Sequence, residues 1–134
     1  MKITRVSKYG KPDPNVRYTT LKGVASEERF LRVCTQYLEH GRFPDWVVSF
    51  SRGTREDDSN QIDAWAHTSE GFRIAIQVKS QKGHAEKFRA RAKEQNRHII
   101  GVAAGPKVTD EEIFTATNNG LVETRQQLLL GEWQ

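Results

Sequence analysis

A mixed α/β domain, with one β-sheet covered by helices on both faces, is the fold this sequence predicts. Three observations predict it. Apolar residues recur at helical spacing over 24–39. Two stretches, 61–68 and 72–79, alternate apolar and polar residues around a Ser69-Glu70-Gly71 turn signal, as a β-hairpin does. An apolar run, Ile99 to Ala104, follows a basic helical stretch, as a buried strand does after a crossover.

Residues 1–22 read as a basic N-terminal arm, because Gly10, Pro12 and Pro14 interrupt any regular pattern among its Lys and Arg residues. Residues 23–134 read as a single domain. Its first element is a helix over 24–39, with Ser26 placed to cap it and Phe30, Val33, Cys34, Tyr37 and Leu38 forming the apolar stripe. His40-Gly41 ends that helix. A strand over 45–51 and a polar loop over 52–60 come next, then the hairpin. Ser80 to His84 reads as a loop, 85–98 as a strongly basic helix and 99–104 as a buried strand. Thr109 and Glu112 form a capping box for a further helix that Asn119-Gly120 closes. A short strand over 121–124 and a last helical turn over 126–130 complete the expected order, α-β-β-β-α-β-α-β.

Lys and Arg number 21 against 17 Asp and Glu, for a net charge of +4, a balance that permits a polyanionic partner. The single cysteine, Cys34, excludes an internal disulfide and any multi-cysteine metal site. No apolar run approaches the length of a membrane span, and Met1 to Arg5 has no signal-peptide core, so a cytoplasmic location without membrane contact is expected.

The hairpin carries the chemistry. Cross-strand pairing about the turn sets Asp63 opposite Ile76 or Gln77, and the two-residue period then places Asp63, Gln77 and Lys79 on one face at one end of the sheet. A carboxylate, an amide and an ammonium meet there. Read without further context, Asp63 and Lys79 also fit an exposed cross-strand ion pair.

Asp63, then 13 intervening residues, then Gln77-Val78-Lys79-Ser80 resembles the signature of the PD-(D/E)xK, or restriction-endonuclease-like, nuclease superfamily. Lys22-Gly23-Val24-Ala25-Ser26-Glu27-Glu28-Arg29-Phe30 is similar to the first helix of archaeal Holliday-junction resolvases and Mrr-like restriction endonucleases. The resemblance covers roughly residues 22–125. It implies a restriction-endonuclease-like sheet with an α-β-β-β-α-β core and a Mg²⁺-dependent DNA endonuclease, with Mn²⁺ as substitute. It also implies catalytic roles for Glu27, Asp63, Gln77 and Lys79, and a metal held by Glu27, Asp63, Gln77 and the Val78 carbonyl. Most members carry Asp or Glu where this chain has Gln77; the Mrr-like, VRR-type and one transposase-like branch resemble it in using Q-x-K. Pro44-Asp45 imitates the "PD" of the family name, but Asp45 is not the hairpin partner of Gln77, and Asp63 is preferred. Glu27 is preferred over Glu28 because it lies on the helix side that faces the sheet.

DNA contacts are expected from Arg52, Arg55, Ser80, Lys82, His84, Lys87, Arg89, Arg91 and Lys93, with Arg97 extending the basic row. Duplex and branched DNA both fit. The alternatives are a DNA-binding or assembly module that keeps the fold without catalysis, and the catalytic domain of a transposase or restriction complex. The apolar Leu128 to Trp133 segment points to a homodimer.

Overall fold

Four strands form the main sheet in a computed structural model that describes residues 5–6 and 19–131, with side chains described over 23–131. The elements are β1 (Arg5–Val6), β2 (Thr19–Thr20), α1 (Leu21–Glu39), β3 (Val47–Arg52), α2 (Arg55–Ser59), β4 (Ala64–Thr68), β5 (Arg73–Lys79), α3 (Lys82–Glu94), β6 (Ile99–Ala103) and α4 (Asp110–Leu130). The sheet order is β3-β4-β5-β6, antiparallel up to β5 and parallel between β5 and β6. A separate pair, β1 and β2, lies in the expected arm, whose last two residues, Leu21 and Lys22, belong to α1; residues 1–4 and 7–18 of that arm fall outside the described residues, as does Trp133.

Helices cover both faces. Gly120 of α4 rests on Ile100, whereas Gly101 rests on Ala85 and Phe88 of α3. Neighbouring strand residues point to opposite faces, so α4 and α3 lie on opposite sides of β6. Helix α1 shares the α4 side. There Phe30, Val33, Ile74, Ile76, Val102, Ile113 and Leu121 form the core, Phe30 meets Phe50 edge-on at 6.1 Å, and Phe43 meets Phe114 at 4.9 Å.

The hairpin register pairs Ala64 with Ile76 and Trp65 with Ala75, which sets Asp63 level with Gln77. Four sequence expectations need correction. Helix α1 starts at Leu21, so Ser26 is not its cap but a buried residue on the stripe facing the sheet; Gly23 alone, at a cost of about 1 kcal/mol, does not stop a helix. The 52–60 loop contains α2, nucleated by a capping box between Thr54 and Asp57. Helix α3 starts at Lys82 rather than residue 85 and ends at Glu94. Helix α4 runs unbroken through Asn119-Gly120 to Leu130, so the strand over 121–124 does not form and the last turn belongs to the same helix. Gly120 is there for contact: a Cβ would sit 2.5 Å from Ile100 Cγ2. The αL residue that closes α4 is Gly131, with φ 69°.

Candidate functional site

Asp63 precedes β4 and is held from three directions. Its N–H donates to the Ile76 carbonyl at 2.8 Å, its carbonyl accepts from Gly53 N at 2.8 Å, and its Oδ2 accepts from Val78 N at 2.8 Å. The last bond couples the carboxylate to the strand that carries Gln77 and Lys79. The orientation of the Gln77 carboxamide is assigned from its hydrogen-bond surroundings, which only one placement satisfies. With its nitrogen toward Asp63 it donates to Oδ2 at 3.2 Å and to the Gln61 carbonyl; turned over, its oxygen would face two acceptors. The amide therefore meets Asp63 as a donor. Asp63 is 4% exposed and Gln77 6% exposed. Lys79 is half-buried, its Nζ 5.5 Å from the centre of the Phe88 ring.

Helix α1 brings Glu27 to the same end of the sheet. Arg29, two residues on, donates to the Gly105 carbonyl at 2.6 Å and pairs with Asp110 at 2.8 Å. Gly105 packs on the Ser80 carbonyl so closely that any Cβ would collide with it, and Ala104 N donates to Lys79 O at 2.8 Å. These contacts tie the first half of α1 to the carboxyl ends of β5 and β6. Glu27 is buried and Glu28 is exposed. Asp45 is exposed beside the Val47 end of β3, which pairs with Thr68 near the hairpin turn, at the far end of the sheet from Asp63.

The expected DNA-contacting residues divide into two groups. Lys87, Arg91 and Lys93 project from α3 into solvent and make no ion pair among the described residues. His84 and Arg55 are exposed, Arg55 with an interaction inside the protein, and Arg52 and Ser80 are half-buried. Others are committed to the protein. Lys82 pairs with Glu112, whose carboxyl is lowered to about 2, mainly by that contact and by the Thr109 N–H. Arg89 donates to the Gly101 carbonyl at 2.8 Å. Arg97 donates to Gln61 Oε1 and to the Asn60 carbonyl, both at 2.6 Å.

Three features beside the site were missed in the sequence. Asp57 accepts from the Trp65 indole at 2.9 Å. Burial works to raise that carboxyl, but the bonds from Thr54 and Trp65 and the charge of Arg73 hold it below the usual range. Arg73 in turn lies 3.7 Å over the Trp65 ring. Asp58, on α2, is a further buried carboxylate besides Glu27 and Asp63; the capping-box spacing from Thr54 to Asp57 is the sequence signal for this helix. The third is the Arg97–Gln61 contact, which no spacing announces.

Carboxylate, carbonyl and amide oxygens are the donor types a hard divalent cation takes. Among the described residues no group of three or more His, Cys, Asp or Glu side chains that could hold a metal ion gathers. Among the described residues no helix is long and apolar enough to cross a membrane. No family model, no curated protein and no solved structure matches this chain.

Proposed function

We propose that this protein is a divalent-metal-dependent DNA endonuclease of the restriction-endonuclease-like type, cleaving phosphodiester bonds in duplex or branched DNA. The observation that carries the reading is the coupling of Asp63 to the Gln77–Lys79 strand through the Val78 N–H, at the sheet end to which α1 brings Glu27.

Asp63, Glu27 and the Val78 carbonyl are the groups that would hold Mg²⁺, or Mn²⁺ in its place; Gln77, expected as a further ligand, has its amide nitrogen assigned toward Asp63 and would orient that carboxylate instead. The ion would supply a divalent charge that polarises the phosphodiester and the attacking water. Gln77 keeps the Asp63 carboxylate in one orientation, so little reorganisation is needed when substrate arrives. Lys79 would stabilise negative charge developing on a phosphate oxygen, where its half-burial would strengthen that interaction over the same pair in water. Lys87, Arg91 and Lys93 supply an exposed cationic row for the DNA backbone. Leu129 and Leu130, exposed at the end of α4, support a homodimer that offers one site to each strand.

A second reading has one observation in its favour. The Gln77 amide donates to Asp63 where most nucleases of this type place another carboxylate, which suits a DNA-binding module without catalysis.

Incubation of purified protein with supercoiled plasmid, a synthetic four-way junction and a flap, in Mg²⁺ and in Mn²⁺, separates the two readings. Cleavage by the wild type and its loss in Asp63→Ala, with unchanged circular dichroism, supports the enzyme. Binding without cleavage of any substrate hands the protein to the second reading. Light scattering at micromolar concentration tests the dimer, which a monomeric result removes.

A further inference from the structure

Arg97 follows α3 on a segment that turns back toward the hairpin, its own N–H bonded to the Ala92 carbonyl at 2.8 Å. Its guanidinium does not join the exposed row of α3. One nitrogen grips Gln61 Oε1 and the other the Asn60 carbonyl, each at 2.6 Å. Gln61 is one of two non-glycine residues with positive φ, at 65°, among the described residues. That conformation costs an ordinary side chain about 1 kcal/mol and persists only where neighbours hold it. Here Gln61 N donates to the Asp58 carbonyl at 3.0 Å and Arg97 holds the side chain. With the Gln77 nitrogen assigned toward it, the Gln61 carbonyl accepts from that amide, whose nitrogen also reaches Asp63 Oδ2. One chain of contacts thus runs from Arg97 through Gln61 and Gln77 to Asp63.

We propose that Arg97 is a positioning residue: by pinning the Asn60–Gln61 turn it fixes the Gln77 amide and, through it, the Asp63 carboxylate. The inference deepens the endonuclease reading and rests on it for its consequence, but not for its geometry. A forked guanidinium suits the task because it can bond two oxygens of one turn at once, which a lysine ammonium on a flexible stem does poorly.

The test reads the Gln77 side-chain amide by NMR in the metal-free protein, alongside DNA binding and Mn²⁺ calorimetry. Arg97→Ala is expected to speed solvent exchange of the Gln77 amide protons at least about tenfold and to weaken Mn²⁺ binding, while the slope of log K for DNA against log salt stays unchanged. Arg97→Lys should restore the exchange rate only in part. Gln61→Ala keeps the carbonyl but removes one grip, and should move exchange in the same direction by less, so a misfolded Arg97→Ala leaves the proposal testable. Unchanged Gln77 exchange in both variants overturns it, and so does a salt slope that falls by about one in Arg97→Ala, the mark of a phosphate contact. A wild type that binds no Mn²⁺ and cleaves nothing defeats the endonuclease reading, while Gln77 exchange still decides the clamp.

Discussion

The sheet end around Asp63 and the outer face of α3 both present charged groups, and they differ in what holds those groups. At the sheet end, Asp63 Oδ2 accepts from the Val78 N–H and the Gln77 amide, and the Gln61 carbonyl that meets the same amide belongs to a turn gripped by Arg97. On α3, Lys87, Arg91 and Lys93 stand in solvent, with no ion pair among the described residues. The first arrangement suits a task that needs fixed geometry, and the second suits attraction to a polyanion, which needs charge and tolerates motion. Arg89 marks the border. It belongs to the same helix as the free cations, yet its guanidinium is bonded to the Gly101 carbonyl.

On the endonuclease reading, the two regions differ most at Lys79. Lys79→Met should lower DNA cleavage at least about 100-fold, the scale set by removing one group that stabilises transition-state charge, while DNA affinity by fluorescence anisotropy changes little. A fall in affinity that accounts for the whole loss would place Lys79 with the α3 cations. Arg89→Ala should cost about 1 kcal/mol of folding stability in urea titration, because the Gly101 carbonyl loses its charged donor; Lys87→Ala should stay within about 0.5 kcal/mol of wild type. Equal costs for the two would erase the border drawn at Arg89. The double replacement Lys87→Ala with Arg91→Ala should reduce the salt slope of DNA binding by about two, and an unchanged slope would return α3 to an ordinary solvated helix face.

The smallest effect lies away from both regions, at Glu112. Its carboxyl is held at about 2 against an ordinary 4.5 by Lys82 and the Thr109 N–H. A carboxyl whose folded value is depressed adds stability above its unfolded value and loses it as pH falls through the folded one. Between pH 5 and pH 2 the melting temperature of wild type should therefore fall slightly more than that of Glu112→Gln. Equal falls would show that the contact is fully screened by solvent.

Much of the fold was legible in local pattern. Alternation around Ser69-Glu70-Gly71 fixes which residues of β4 and β5 share a face, so parity puts Asp63 and Gln77 on one face, while the pairing of Ala64 with Ile76 in the structure decides that they are level. The helical stripe through Phe30 separated Glu27 from Glu28 for the same reason, since residues at fixed spacing from a buried aromatic are buried with it. The capping box at Thr109 marks the start of α4 in the sequence, while the equivalent pair at Thr54 and Asp57 starts a helix so short and polar that its sequence looks like a loop.

Strand faces, the stripe of α1, the start of α4 and the charge of α3 are periodic or local features, and the chain spells them out directly. Each rests on interactions between residues a few positions apart, which spacing encodes. Only the tertiary structure decided the rest. Gly120 reads as a helix stop until Ile100 is seen to need its missing side chain. Arg89 and Arg97 read as members of one cationic row until Gly101, Asn60 and Gln61 arrive from elsewhere in the chain to claim them. Contacts between residues tens of positions apart leave no period in the sequence. The same arginine can serve solvent, DNA or its own fold, and packing decides which.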